Sequence, residues 1–330
     1  MKNFAYVSPT SEAEAVQLLG ESSVALAGGS SLLQLMKEYV AQPSRLVNVK
    51  AIAGAAGIEG DGSTGVKVGA NTTLTEILES SVLRKHYPAL VEALWDAATP
   101  QVRNVSTLGG NLCARPPCWY FRLEAFPCRK KGAEGCPAEG GENEYMSILG
   151  HDGMKCHAVH ASSAAPALIV YQAKARIAGP DGAREVELEE FFVSPDDKNV
   201  TRENVLKPNE IVTHVLLPKN DSKSATYEVR QKDSHDWPLA LASVALAMDG
   251  ETCKSARVCL GAVAPVPWRA KETESALAGQ KMTWDLAESA AAKAVGGAKP
   301  MEKNGYKIQV ARTTVKRAIL LAAGLLTSRR

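Results

Sequence analysis

Five of the seven cysteines, Cys113, Cys118, Cys128, Cys136 and Cys156, fall within residues 113–156, a stretch with no helical or strand periodicity. Glycines, prolines and the basic run Arg129, Lys130 and Lys131 fill the spaces between them. Such a segment cannot bury a core of its own, so it needs a covalent or metal staple to hold one shape. The cysteine count is odd, and residues 1–14 carry no apolar signal core. Both points argue against a disulfide framework and for a reducing compartment, the cytoplasm. Metal or redox chemistry is then the expected use of the thiols. Cys118, Cys128, Cys136 and Cys156 are separated by nine, seven and nineteen residues. That fits neither the C-x-x-C of zinc knuckles nor the ferredoxin run, so spacing leaves open the metal, or free thiols in a mobile loop. The cations at 129–131 are expected to favour the thiolate form. Cys113 reads as a core residue, and Cys253 and Cys259 as small buried hydrophobes. His151, His157 and His160 read as polar loop residues beside Cys156.

The remainder of the 330 residues is ordinary globular material, 45% apolar and 22% charged, long enough for two or three domains. Lys and Arg number 38 against 36 Asp and Glu, a balance that gives no reason to expect nucleic acid or an anionic membrane as partner. The longest apolar runs, 239–248 and 318–326, are about ten residues, half of the roughly 20 a bilayer span needs. Strand–helix–strand–helix–strand is predicted over 4–49, with Ser11 and Glu14 at capping-box spacing. A second unit follows: a strand at 65–69, helices at 73–79 and 88–98, a helix at 165–173 and strands at 175–178 and 210–217. Residues 220–224 read as a polar linker. Beyond it come strands at 226–230 and 254–264, an apolar segment at 238–248 that suits either strand or helix, and helices at 283–294 and 310–326. The fold class is α+β: a two-part α/β region (1–55 and 56–219, with the cysteine insert at about 113–157), then a smaller α+β domain at 220–330.

Two glycine turns stand out, Ala27-Gly28-Gly29-Ser30-Ser31 and Thr107-Leu108-Gly109-Gly110-Asn111. Adjacent glycines let backbone N–H groups approach an anion without Cβ clashes, and the hydroxyls of Ser30, Ser31 and Thr107 add donors. Neither turn fits G-x-G-x-x-G or the Walker pattern, which disfavours a Rossmann or P-loop site. Each alone reads equally as a tight turn; the pair reads as a pyrophosphate clasp. Arg230, Lys232, Asp233, Asp236 and Trp237 form a polar-aromatic cluster before 238–248, suited to meeting a ligand ring or to ending a strand in solvent. No Ser-His-Asp order, HExxH or paired-carboxylate signature supports hydrolysis.

The segments AGGSSLLQLMK (27–37), TLGGN (107–111) and LGAVAPVPWRA (260–270), in this order, resemble the FAD-binding medium subunit of the xanthine dehydrogenase and carbon monoxide dehydrogenase family of molybdenum hydroxylases. The resemblance covers nearly the whole chain and implies an oxidoreductase subunit that binds FAD. Ala27, Gly28, Gly29, Ser30, Ser31, Leu32, Thr107, Gly109, Gly110 and Asn111 are then the cofactor-binding residues, with Lys232 joining from the C-terminal domain. The insert, CWYFRLEAFPCRKKGAEGC followed by KCHAVHASSAAPALIVY, is similar to the members that carry an extra 4Fe–4S cluster, the β subunit of 4-hydroxybenzoyl-CoA reductase and the flavin subunit of periplasmic aldehyde oxidoreductase. On that match Cys118, Cys128, Cys136 and Cys156 are the ligands and Cys113 is not. Ser162 and Ser163 stand where many relatives carry an Asp that contacts the flavin. The implied partners are a large molybdopterin subunit and a small subunit with two 2Fe–2S clusters, with electrons passing to or from an external acceptor or donor. The assembly is cytoplasmic, or periplasmic if a signal-bearing partner exports it. Two other readings remain at this point: a reductase in which electrons flow inward, and a non-enzymatic binding module stapled by zinc.

Overall fold

The computed structural model describes residues 1–150, 153–232 and 235–327. The first unit runs β1 (Ala5–Val7), α1 (Glu12–Leu18), β2 (Ser23–Leu26), α2 (Leu32–Lys37) and β3 (Arg45–Asn48), a parallel sheet ordered β1-β3-β2. Parallel neighbours need crossovers rather than hairpins, and α1 and α2 supply them. Ser11 caps α1 by accepting the Glu14 N–H at 3.2 Å. The Glu14 carboxylate reaches past the cap to the Thr10 N–H at 2.9 Å, so only half of the expected capping box forms.

The second unit opens with β4 (Ile58–Glu59) and β5 (Gly65–Gly69). Short helices follow: α3 (Leu74–Glu79), α4 (Ser81–His86), α5 (Pro88–Trp95), α6 (Pro100–Arg103), α7 (Leu108–Leu112) and α8 (Trp119–Arg122). Thr73 and Glu76 make a complete capping box at α3. After two 3-10 turns, Arg129–Lys131 and Pro137–Glu139, come α9 (Ala164–Val170), β6 (Lys174–Gly179), β7 (Gly182–Glu187), α10 (Leu188–Phe191) and β8 (Ile211–Pro218). The strands form an antiparallel sheet ordered β4-β5-β8-β6-β7. Every residue of α9 is buried. Its Leu168 joins Val68, Ile77, Leu90, Phe191 and Val215 in one apolar cluster that fixes the helices against this sheet.

The third unit is β9 (Lys223–Arg230), β10 (Pro238–Asp249), β11 (Thr252–Gly261), β12 (Trp268–Arg269), α11 (Lys271–Leu277), β13 (Gln280–Lys281), α12 (Trp284–Lys293) and α13 (Tyr306–Ala323). Residues 238–248 are strand: β10 lies between β9 and β11, and α13 packs over β9 and β10, so a run apolar on both faces is what the position requires. The expected linker at 220–224 is not loose. The Asn220 amide donates to the His86 carbonyl at 2.8 Å, and Lys223 and Ser224 already open β9. Thr226 Oγ1 donates to the Ala89 carbonyl at 2.8 Å, and Ser224 Oγ lies 2.6 Å from the Tyr171 hydroxyl, binding the third unit to α5 and α9. Among the described residues no helix is long and apolar enough to cross a membrane.

Candidate functional site

β2 ends where the first glycine turn begins, and the turn leads directly into α2. A Cβ added to Gly28 would stand 1.9 Å from the Val105 carbonyl oxygen, so only glycine lets this turn lie on the backbone leading to the second turn. Ser30 Oγ and Ser106 Oγ, hydrogen-bonded at 2.7 Å, tie the two together. A cleft of about 590 Å³ opens beside them, lined by residues 27–32 and by Thr107, Gly109, Gly110 and Asn111. Ten of the eleven residues expected to bind the cofactor thus share one wall system. Lys232 is the exception. β9 ends at Arg230, and Lys232 stands exposed on the turn beyond it, outside the cleft lining.

The two turns differ in what they leave free. In the second, the N–H groups are used within the protein: Leu108 donates to the Thr72 carbonyl at 3.0 Å, Gly109 to Ala70 at 2.8 Å and Asn111 to Thr107 at 2.9 Å. Gly110 donates to Thr107 Oγ1 at 3.1 Å, the cap of α7. The expectation that both turns offer backbone N–H groups to an anion therefore does not hold for 107–111; its glycines serve close packing, a Cβ on Gly109 falling 2.9 Å from Ala70 Cβ. Asn111 Oδ1 accepts from Ser162 Oγ at 2.6 Å and from the Ala164 N–H at 3.2 Å. Ser162, one of the serines at the departure from the family pattern, is thereby committed to holding the start of α9. In the first turn Ser31 is the N-cap of α2 yet makes no capping hydrogen bond, and its Oγ is buried with no partner. A buried hydroxyl without a partner costs about 1–3 kcal/mol. On a residue that lines a cleft of this size, it fits a ligand that carries an acceptor oxygen, as a pyrophosphate does.

The far wall comes from other parts of the chain. The loop before α6 contributes residues 96–99, with Ala98 in the left-handed region at φ 54° and held there by Arg103, whose Nη1 donates to the Ala97 and Ala98 carbonyls at 3.1 and 2.8 Å. The third unit contributes Glu228, His235, Asp236 and Trp237. Of the polar-aromatic cluster in the sequence, Asp236 and Trp237 face the cleft. Arg230 stands behind it, 3.2 Å from both Asp96 Oδ1 and Glu228 Oε1, and Asp233 lies outside the described residues. The sequence reading missed Ser106, Arg122 and Glu228. Ser106 adjoins a motif that was recognised, while the other two are brought in by tertiary contacts that leave no local signal.

The four cysteines of the insert lie within electrostatic reach of one another. The Cys118 thiol feels those of Cys128 and Cys136, and Cys156 those of Cys118 and Cys136. Backbone N–H groups of Phe121 and Tyr120 face Cys118, those of Ala138 and His157 face Cys136, and the Ala158 N–H donates to Cys156 Sγ at 3.5 Å. N–H donors around sulfur are what a thiolate site needs. The sulfurs are not closed on one centre: among the described residues no group of three or more His, Cys, Asp or Glu is arranged to hold a metal ion. The donor chemistry fits a soft metal site; a closed coordination shell is not present. Burial pushes the Cys118 thiol up to about 11 and Cys156 to about 12, with Cys136 raised for the same reason. The expected help from the basic run is therefore outweighed. Lys130 does pull Cys156 down, but it is itself 6% exposed, with Nζ 2.8 Å from Glu203 Oε1 and donating to the Val200 and Arg202 carbonyls. Cys113 stands apart on the cleft wall, its thiol raised to about 12 by burial and then by Glu203. Cys253 and Cys259 are buried, as their strand context predicts. His160 lies in the loop but is not solvated: its ring is buried edge-on against Phe192, 4.5 Å between centres, and burial lowers its pKa to about 3. His157 lies 3.4 Å from Glu139 Oε1, and His151 is outside the described residues.

Comparison with known proteins agrees with this geometry. Residues 2–220 match the FAD binding domain in molybdopterin dehydrogenase, and residues 225–322 the CO dehydrogenase flavoprotein C-terminal domain. The chain is 30% identical to the aldehyde oxidoreductase FAD-binding subunit PaoB of Escherichia coli (strain K12), over 96% of each chain. It is also 30% identical to the carbon monoxide dehydrogenase medium chain of Hydrogenophaga pseudoflava, again over 96% of each. The solved carbon monoxide dehydrogenase of Hydrogenophaga pseudoflava that lacks the Mo-pyranopterin moiety superposes with a TM-score of 0.76 at 29% identity, over 99% of both chains. The chain belongs to the FAD-binding flavoprotein subunits of the molybdenum hydroxylase family of oxidoreductases, a FAD-binding domain followed by a CO dehydrogenase-type flavoprotein C-terminal domain.

Proposed function

We propose that this chain is the electron-transfer subunit of a heteromeric molybdenum hydroxylase, holding FAD in the cleft and a 4Fe–4S cluster at Cys118, Cys128, Cys136 and Cys156. The observation that carries the flavin half is the buried, unpartnered Ser31 hydroxyl on a glycine turn that lies within a cleft of about 590 Å³. FAD supplies the redox chemistry; the protein binds, orients and tunes it. Ser31 and the backbone of 27–31 hold the pyrophosphate. Thr107 and Asn111 brace the same wall from behind, and Trp237 and Glu228 close the cleft from the third unit. The four cysteines supply the soft thiolate set that iron–sulfur clusters use, and Cys118, Cys136 and Cys156 already face N–H donors.

On this reading a large molybdopterin subunit oxidises an aldehyde or an aromatic substrate, and a small 2Fe–2S subunit relays its electrons to this chain and on to an external acceptor. The aldehyde oxidoreductase and carbon monoxide dehydrogenase names of its relatives support that assignment.

The cluster is tested by anaerobic reconstitution with ferrous iron and sulfide. Cys128→Ser is expected to lose the cluster and Cys113→Ser to keep it. Full iron and sulfide in Cys128→Ser refutes the assignment, and loss in Cys113→Ser shows that the wrong four thiols are named.

A further inference from the structure

Cys113, Ala114, Arg115 and Arg122 belong to both the cleft and the cysteine insert, and of these Arg122 follows a proposed ligand, Cys118, by one helical turn. Arg122 ends α8, a single helical turn for which Cys118 is the N-cap, and its N–H returns to the Cys118 carbonyl at 3.0 Å. Arg122 lines the cleft. Nε donates to the Pro116 carbonyl at 2.9 Å and Nη2 to the Arg115 carbonyl at 3.0 Å, both on the strap that leads into Cys118. Nη1 donates to Gln34 Oε1 at 3.3 Å, on the helix that the first glycine turn opens. Its Cζ lies 5.7 Å from the centre of the Trp237 ring, contributed by the third unit. Three separate parts of the fold therefore meet at one planar cation, and the part that carries it is the one with the thiols.

We propose that Arg122 is the positioning residue that couples the cysteine site to the flavin cleft, so that loading the cysteines tightens the binding of FAD. This rests on the function proposed above. A four-residue helix is marginal by itself, because nucleation fixes several dihedrals for each hydrogen bond gained. With Cys118 unligated, α8 is anchored by the burial of Tyr120 and Phe121 and the strap by the Arg115–Glu203 pair at 2.7 Å, but the N-cap Cys118 makes no side-chain capping bond, and fixing that end, with the guanidinium that follows it, is a cost charged to flavin binding. Fixing Cys118 in a metal site orders the strap and the turn beforehand, and FAD then meets a cation already in place. The coupling is reciprocal: FAD tightens cluster retention by the same factor.

The test is the dissociation constant of FAD for the full chain, measured anaerobically by flavin fluorescence, before and after reconstitution with ferrous iron and sulfide. Wild type is expected to bind FAD at least about fivefold more tightly when loaded, the lower end of ordinary coupling between sites. In Arg122→Gln the loaded and metal-free forms are expected to agree within about twofold, with iron content unchanged. Gln34→Ala, which removes a single contact to the guanidinium, is expected to reduce the ratio without abolishing it. A structural loss alone weakens both forms together and leaves the ratio intact. Equal FAD affinity in loaded and metal-free wild type overturns the coupling, as does an Arg122→Gln chain that keeps the wild-type ratio. A wild-type chain that takes up no cluster or no FAD overturns the proposed function itself, and the coupling with it.

Discussion

The two glycine turns are nearly interchangeable on paper, a Gly-Gly pair with small hydroxyl or amide neighbours, yet the fold uses them in opposite ways. Turn 27–31 is pressed against the Val105 carbonyl and keeps the Ser31 hydroxyl buried and unbonded. Turn 107–111 uses its N–H groups on Thr72, Ala70 and Thr107, and its Asn111 amide on the start of α9. One turn leaves a hydroxyl unbonded on the cleft wall, and the other is a strut that braces the same wall. A motif therefore fixes where the backbone can come close; which donors stay free is decided by what the surrounding chain has already taken.

The comparison can be broken in graded steps. Gly28→Ala is expected to have the largest effect. A Cβ at 1.9 Å from a backbone oxygen cannot be relieved by rotating a side chain, so the two turns must separate. Overpacking of this kind costs about 1–3 kcal/mol or more, and FAD retention after gel filtration is expected to fall to background. Wild-type flavin content in that variant contradicts the close approach.

Ser31→Ala should separate binding from stability. A hydrogen bond to a charged group contributes about 1.5–3 kcal/mol, so FAD affinity is expected to fall roughly tenfold to a hundredfold. The melting temperature of the flavin-free chain should stay the same or rise, because an unsatisfied buried hydroxyl is removed. Thr107→Ala should do the reverse: loss of the α7 cap lowers stability by about 1 kcal/mol, with FAD affinity within about twofold of wild type. Matching effects in the two variants would erase the distinction drawn between the turns.

The last effect concerns pH. Burial raises the Cys118 thiol from its ordinary 9.0 to about 11 and Cys156 to about 12 in the metal-free protein. A folded pKa above the unfolded one stabilises the fold below the unfolded value, and that contribution is lost as pH rises toward the folded one. The metal-free chain is expected to lose denaturant stability between about pH 9 and 11, and the loaded chain to lose less, since ligated thiolates no longer titrate. Equal alkaline sensitivity in both forms places those thiols outside the metal site.

Much of the frame was legible in the sequence because it rests on local rules. The strand–helix alternation over 4–49, the glycine turns and the apolar α9 follow from periodicity and turn chemistry. The 238–248 segment was ambiguous for a physical reason: a strand sandwiched in a sheet and covered by α13 has no polar face to reveal its period. Sequence pattern failed where long-range contacts decide. Lys130 reads as a cation serving the thiolates but is buried against Glu203; Lys232 reads as a cleft residue but stands outside; His160 reads as a polar loop histidine but its ring is buried on Phe192. Arg122 carries no signal at all until Gln34, the 115–116 strap and Trp237 are folded around it.

The most direct test of the account is an anaerobic visible spectrum of the purified full chain, with flavin, iron, sulfide and zinc assayed on the same sample. The account predicts flavin bands over a broad iron–sulfur shoulder, with about one FAD and four irons per chain. A colourless, zinc-containing protein that stays so after reconstitution with FAD, iron and sulfide would contradict it.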